Sequence, residues 1–258
     1  MSPHKIPLVT TAEQRLLLAH VLEVPVSRLA IVETITDEQF DSYQQLLSRR
    51  SQGVPVQHLT GKSYFRNISV LVGPGVFIPR PETEVLVGWA LQVLSNKPNA
   101  VVVELCTGSG VISKALADEA PGLNISAVEL SEAAMAYAVA NLSGSGVDLQ
   151  LGDMADAFPD LNGKVDLVIA NPPYIPLEAW ESVPTEVRDY DPDLALFSGQ
   201  DGLDALKVVA KTAKRLLSPG GLVGAEHAEV QSQSVIQLFQ DAGFVQVRDN
   251  LDLTNRPR

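Results

Sequence analysis

One cysteine and four histidines are the whole stock of thiolate and imidazole ligands in 258 residues. Cys106 alone cannot close an internal disulfide, and with only His4, His20, His58 and His227 beside it no metal site is expected. No apolar run approaches the ~20 residues a membrane helix needs. Met1–Arg15 has no apolar stretch long enough for a signal peptide. Repeats and low-complexity tracts are missing as well. Charged residues are few, 19%, against 45% hydrophobic, so the chain can bury a real core and wholesale disorder is excluded. A soluble, cytoplasmic protein is expected, with one large domain or two unequal ones at roughly 150 residues per domain.

The charge is unevenly spread. Nineteen basic and thirty-one acidic residues leave −12 in all. Residues 1–75 hold seven basic and six acidic side chains, so residues 76–258 carry twelve and twenty-five, a net of −13. A field of that sign repels phosphate backbones, and no direct binding of duplex DNA is expected.

The first fifty residues read as helical. Thr10 or Thr11 can cap a run carrying Leu16, Leu17, Leu18, Val21 and Leu22, and a second helix starts at Thr36 or Asp37 and ends at Gly53-Val54-Pro55. Val56–Thr60 and Tyr64–Val72 read as short β runs with Gly61-Lys62 as a hairpin turn. Gly73-Pro74-Gly75 marks a domain boundary, giving residues 1–75 and 76–258. Beyond it strands and helices alternate. Strands are expected at Ala100–Leu105, Ile125–Leu130, Val147–Leu151, Val165–Ala170, Leu222–Ala225 and Phe244–Arg248. Helices are expected after Gly110, after Ser131, over Gly202–Leu217 and over Val230–Ala242. That alternation predicts an α/β fold with a doubly wound, mostly parallel sheet.

Ligands of such sheets bind beyond the carboxyl ends of the strands. The first strand runs into Cys106-Thr107-Gly108-Ser109-Gly110, and the second ends at Glu129, a carboxylate placed to accept the hydroxyls of a ribose. A dinucleotide and S-adenosylmethionine are both compatible with this much. The G-x-G-x-x-G fingerprint is incomplete, with Ser113 in the third position counted from Gly108, which favours a pocket for a cationic sulfonium over a pyrophosphate cradle. Asp153 and Met154, after the third strand, can meet an adenine amine and the ring face. On that fragment alone, a turn cap and a core methionine are the better reading.

The most specific signal is Asn171-Pro172-Pro173-Tyr174, after the fourth strand. The prolines stiffen the segment and remove two N–H donors, leaving the Asn171 side-chain oxygen and the Pro172 carbonyl as acceptors. A planar –NH2 group needs two acceptors, and Tyr174 offers a flat face to cover it.

This tetrapeptide resembles the motif of methyltransferases that act on planar nitrogens. Gly53-x-Pro55-x-Gln57-His58-Leu59-x-Gly61, Phe65 and Phe77-Ile78-Pro79-Arg80-Pro81-Glu82-Thr83-Glu84 resemble the release-factor glutamine methyltransferase family of HemK/PrmC type. The resemblance spans about residues 10–256 and implies a Rossmann-like methyltransferase sheet, a small N-terminal helical domain for substrate recognition and a connecting β-hairpin. It also implies S-adenosyl-L-methionine as donor and, as substrate, the glutamine of the Gly-Gly-Gln motif in class I peptide chain release factors. Position by position, Cys106–Gly110, Glu129, Asp153, Met154 and Asn171 fall on the donor side. Asn171, Pro172, Pro173 and Tyr174 fall on the substrate side, and Arg80, Glu82 and Glu84 frame the site, unless they form only a local ion-pair network. Cys106 stands where glycine is more usual, and Met154 where an aromatic can sit. Glu226-His227-Ala228 departs from the family's pattern and receives no role. The final strand is expected to be short or missing.

An amide nitrogen is a poor nucleophile because resonance draws its lone pair into the carbonyl. Acceptors on its hydrogens stabilise the charge that develops as a methyl arrives, so no strong base is needed and His227 is expected to be structural. The rivals are a nucleic-acid amino-methyltransferase, a dinucleotide oxidoreductase and a non-catalytic binding module. A monomer is expected.

Overall fold

The computed structural model describes residues 4–252 and 254–258. A two-residue pair, β1 (His4–Lys5) with β2 (Thr34–Ile35), brackets the first helix. That helix, α1 (Ala12–Val21), and α2 (Asp37–Ser51) start where the capping signals lie. Thr11 accepts from the Gln14 amide and Thr36 from the Gln39 amide, each glutamine reaching back to its cap. Leu17, Leu18 and Tyr43 make this region's own apolar core.

Val56–Thr60 is a helix, α3, and not a β run. Its apolar positions Val56 and Leu59 are three apart and both buried, a helical spacing that five residues cannot distinguish from a short strand in sequence. Gly61, at φ 69°, ends this helix instead of turning a hairpin. The hairpin lies further on. Strand β3 (Lys62–Phe65) pairs antiparallel with β4 (Ile68–Leu71) around Arg66-Asn67. Phe65, Val70 and Val72 pack into the core of the large sheet, so the hairpin goes with that sheet in packing, although the Gly73–Gly75 punctuation follows it in sequence.

After α4 (Thr83–Leu94) come β5 (Val101–Leu105), α5 (Val111–Glu119), β6 (Asn124–Glu129), α6 (Glu132–Leu142), β7 (Asp148–Leu151) and β8 (Val165–Ala170). Two short helices follow, α7 (Thr185–Tyr190) and α8 (Asp193–Leu196), then α9 (Asp204–Leu216), β9 (Leu217–Ala225) and α10 (Ser232–Asp241). The five strands pair in parallel in the order β7-β6-β5-β8-β9. Both faces are covered. Val102, Leu167 and Ile169 pack on one side with α4, α5 and the hairpin, whereas Val103, Leu105, Val168 and Ala170 pack on the other with α9 and α10.

Two strand expectations change. β9 begins at Leu217, and its pairing with β8 skips from Val165↔Leu217 to Leu167↔Leu222, so Ser218-Pro219-Gly220-Gly221 loops out of the ladder. Gly221 is required there, because a Cβ would lie 2.8 Å from the Val165 carbonyl. Phe244–Arg248 is not a strand: Gln246 sits at φ 55°, which breaks any extended run. Among the described residues the C-terminal strand is reduced to one bridge, Leu251 with Pro257.

Asn141 of α6 ties three parts together. Its oxygen accepts from the Leu71 amide (2.7 Å), and its amide donates to the Leu71 and Ser109 carbonyls (3.0 and 2.8 Å). Asn141→Ala leaves these hairpin and loop groups unpaired and is expected to cost about 2 kcal/mol. Chemical denaturation checks this; a loss below about 0.5 kcal/mol, the range of inert surface changes, would show that the clamp carries no weight.

Candidate active site

Register sets out the site. Leu105 pairs with Ala170, and Ala170 with Ala225, so Cys106, Asn171 and Glu226 leave the sheet side by side at the carboxyl ends of β5, β8 and β9. The strand order reverses at β5 and β8, the place where open α/β sheets bind ligands. A cleft of about 830 Å³ opens there.

On its β5–β7 side, Glu129 is buried, with one oxygen accepting from the Gly108 amide (2.6 Å) and the other from Ser131 (2.7 Å). Each oxygen keeps a second lone-pair direction for a ligand hydroxyl. Thr107, Gly108 and Ser109 line the cleft, and a Cβ on Gly108 would meet nothing within 4 Å. Gly110 lies behind the wall. At φ 81° it caps α5, and a Cβ there would press on Leu142 at 3.0 Å. Cys106 takes φ 60° where glycine would be unstrained, and its Sγ lies 3.5 Å from the Met154 sulfur. Burial, with Glu129, Glu104 and Asp153 around it, pushes the Cys106 thiol well up, so it stays protonated. Asp153 caps the following turn by accepting from Ala155 (2.8 Å), and Met154 packs against the sheet core. Both also line the cleft.

Sequence reasoning passed over Glu104. Fully buried at the penultimate position of β5, it accepts from the Ser113 amide and hydroxyl through one oxygen, while its other oxygen has no partner. The Thr107 hydroxyl is likewise buried and unpartnered. Both residues stand on the cleft wall. Burial raises the Glu104 pKa to about 8, partly offset by Ser113.

Asn171 and Tyr174 line the β8 side together with Pro173, and the Pro172 ring is buried off the wall. The Asn171 amide donates to the Thr83 hydroxyl (3.0 Å), Thr83 donates to Glu226 (2.7 Å), and the Tyr174 hydroxyl donates to the other oxygen of Glu226 (3.0 Å). Glu226 thus enters the site, although its sequence context gave it no role. The usable signal was positional, since it follows its strand as Asn171 follows β8. His227 turns away, to the Ala228 carbonyl (2.8 Å) and Asp249 (3.3 Å), as a structural histidine does.

Arg80 frames the cleft by pairing with Asp191, which also accepts from the Ile78 amide (3.0 Å). Glu84 does not line it. Its carboxylate accepts from Arg66 (2.8 Å) at the hairpin turn, which makes it part of a local polar network with Glu119. Glu82 lines the cleft near Arg258, at 3.9 Å.

Buried carboxylates with spare oxygens on one wall suit a ligand that is itself cationic, and on the β8 side the Asn171 side-chain oxygen is left without a partner among the described residues while its nitrogen is engaged by Thr83. Glu104, Thr107 and Glu129 suit the ammonium and ribose of S-adenosylmethionine, and the protein is a methyltransferase that uses this donor. Residues 10–61 match the model of the PrmC N-terminal domain and residues 68–182 that of the methyltransferase small domain. The chain is 51% identical over 231 residues to the release factor glutamine methyltransferase of Streptomyces coelicolor, covering 88% of this chain and 82% of that one. Its Mycolicibacterium smegmatis counterpart is 42% identical, with 95% and 88% covered. A 4-amino-L-phenylalanine/4-methylamino-L-phenylalanine methyltransferase of Streptomyces pristinaespiralis is 39% identical, with 90% and 80% covered. The chain belongs to the release factor glutamine methyltransferase family.

Two measurements test the donor wall. Glu129→Ala should cost ~1.5–3 kcal/mol of donor affinity, the scale for losing a charge-assisted contact. Because Glu104 must ionise to face an ammonium, wild-type affinity should climb between about pH 6 and 7.5, by up to about tenfold per unit. In Glu104→Gln it should be flat over that range. Calorimetry reads both, and a pH-independent wild type would remove Glu104 from the donor site.

Proposed function

We propose that the protein methylates the side-chain amide nitrogen of the glutamine in the Gly-Gly-Gln motif of class I peptide chain release factors. The observation that carries this reading is the pairing of Asn171 with Thr83, which commits the Asn171 nitrogen and leaves its oxygen for the cleft. The Pro172 carbonyl, which accepts no hydrogen bond among the described residues, takes the second amide hydrogen. Tyr174 covers the amide plane. Its hydroxyl is held as a donor by Glu226, and burial next to that carboxylate keeps it protonated.

S-adenosylmethionine, when bound, supplies an electrophilic methyl on a cationic sulfur. Glu104, Thr107 and Glu129 would hold that donor, and the nitrogen held by Asn171 and Pro172 would take the methyl and give up one proton to water. The residues contribute in two ways. They hold the nitrogen in line, which at best offsets ~7–11 kcal/mol of the barrier. Two acceptors on its hydrogens also strengthen as positive charge appears there.

The N-terminal helices fit substrate recognition. They have their own core and, with the hairpin, a net charge of +1 opposite the −13 of the remainder. They also touch the wall of the cleft: Arg50 grips Glu13 in α1 through two hydrogen bonds (2.9 and 2.8 Å) and reaches Glu186 in α7 (3.1 Å). A monomer acting inside the cell, with no duplex DNA partner, completes the proposal. Among the described residues no helix is long and apolar enough to cross a membrane.

The deciding experiment incubates purified protein, S-adenosylmethionine and a release factor, and looks by mass spectrometry for one added methyl on the Gly-Gly-Gln peptide. A release factor with that glutamine changed to alanine should take none. Free 4-amino-L-phenylalanine is the second arm, prompted by the Streptomyces pristinaespiralis relative. Methylation of that amine and not of the release factor would overturn the reading. Asn171→Ala should lower turnover by ~10²-fold or more while donor binding stays within about tenfold. Near-normal turnover would take Asn171 out of the chemistry.

A further inference from the structure

A hydroxyl has one hydrogen and two lone-pair directions, and an ionised carboxylate only accepts. Thr83 spends its single hydrogen on Glu226 at 2.7 Å. Its oxygen can then only accept from Asn171, so the Asn171 –NH2 must face Thr83 and its carbonyl oxygen must face the cleft. Turned over, that amide would present a donor to the acceptor nitrogen's own hydrogens. The polarity of the whole line is set at its far end, where two hydroxyls, Thr83 and Tyr174, both donate to a carboxylate that is 3% exposed.

We propose that Glu226, acting through Thr83, is a positioning residue that fixes which end of the Asn171 amide faces the nitrogen to be methylated. The inference rests on the reading above, in which Asn171 accepts a hydrogen from that nitrogen. Proton uptake by Glu226 reverses the line. A protonated Glu226 can donate to Thr83, Thr83 must then turn its hydrogen to Asn171, and the amide flips. The groups facing Glu226 are the Thr83 and Tyr174 hydroxyls and the charges of Arg258 and Glu82, while neighbouring His227 is paired elsewhere with Asp249. Burial raises the Glu226 pKa against the lowering pull of its two hydroxyl partners and Arg258, so the flip comes at higher pH than for an exposed carboxylate.

The variants Thr83→Val and Thr83→Ser separate this role from packing, since valine keeps the shape and loses the hydroxyl while serine does the reverse. Steady-state transfer to whole release factor, with donor binding by calorimetry as the check on folding, is the measurement. In Thr83→Val, kcat should fall about tenfold with donor affinity unchanged, and Thr83→Ser should recover most of the loss. The wild type and Thr83→Ser should lose kcat on acidification, and Thr83→Val should show a flatter acid limb, because titration of Glu226 no longer reaches Asn171. Wild-type kcat in Thr83→Val, equal damage in both variants, or an undiminished acid limb in Thr83→Val would each overturn the relay. No transfer by the wild type would overturn the functional reading together with it, and so is told apart from failure of the relay alone.

Discussion

The parallel ladder between β5 and β8 is the constraint on which everything else depends. Because Leu105 is level with Ala170, the residues that follow the two strands emerge as neighbours, and Thr107–Ser109 and Asn171–Tyr174 open onto one cleft. Asn171 lies sixty-five positions after Cys106 in sequence, and no local interaction could hold them in register. The ladder does so because both faces of both strands are buried: a slip of one residue would turn Val102, Leu167 and Ile169 into the wrong core. The next ladder outward extends the same logic to Glu226, whose amide donates to the Ala170 carbonyl at 3.0 Å.

Where a local rule dominates, the sequence was legible. Thr11, Thr36 and Ser131 cap helices through their own side chains, and the apolar run Val165–Ala170 is a strand between two covered faces. Where neighbours decide, it was not. Val56–Thr60 has strand-like composition but is pinned as a helical turn by the burial of Val56 and Leu59. Phe244–Arg248 has apolar alternation, but a left-handed Gln246 stops it from extending. The site follows the same division. Asn171–Tyr174 and Glu129 carry local signatures, whereas Thr83 and Glu226 join only through contacts 88 and 143 residues long. Glu84 shows the converse: its motif pointed to the cleft, and its carboxylate was taken by the Arg66 turn.

Electrostatics divides the cleft into two working halves. One wall keeps carboxylates with oxygens to spare for a cation, and burial there pushes the Glu104 carboxyl toward its protonated form. The other spends its carboxylate internally, as both oxygens of Glu226 are engaged by hydroxyls. The first wall can recognise charge. The second holds polar groups in one orientation without presenting a full charge to an uncharged amide.

Arg50 belongs to α2, yet its guanidinium is shared between Glu13 of α1 and Glu186 of α7. The N-terminal helices and the segment that carries α7 are therefore not interchangeable parts. A chimera that grafts these N-terminal helices onto the sheet of a relative carries this guanidinium with no guarantee of an acid opposite it. Residue 186 then becomes a compatibility position: a change at residue 50 has to be matched by a residue more than a hundred positions downstream.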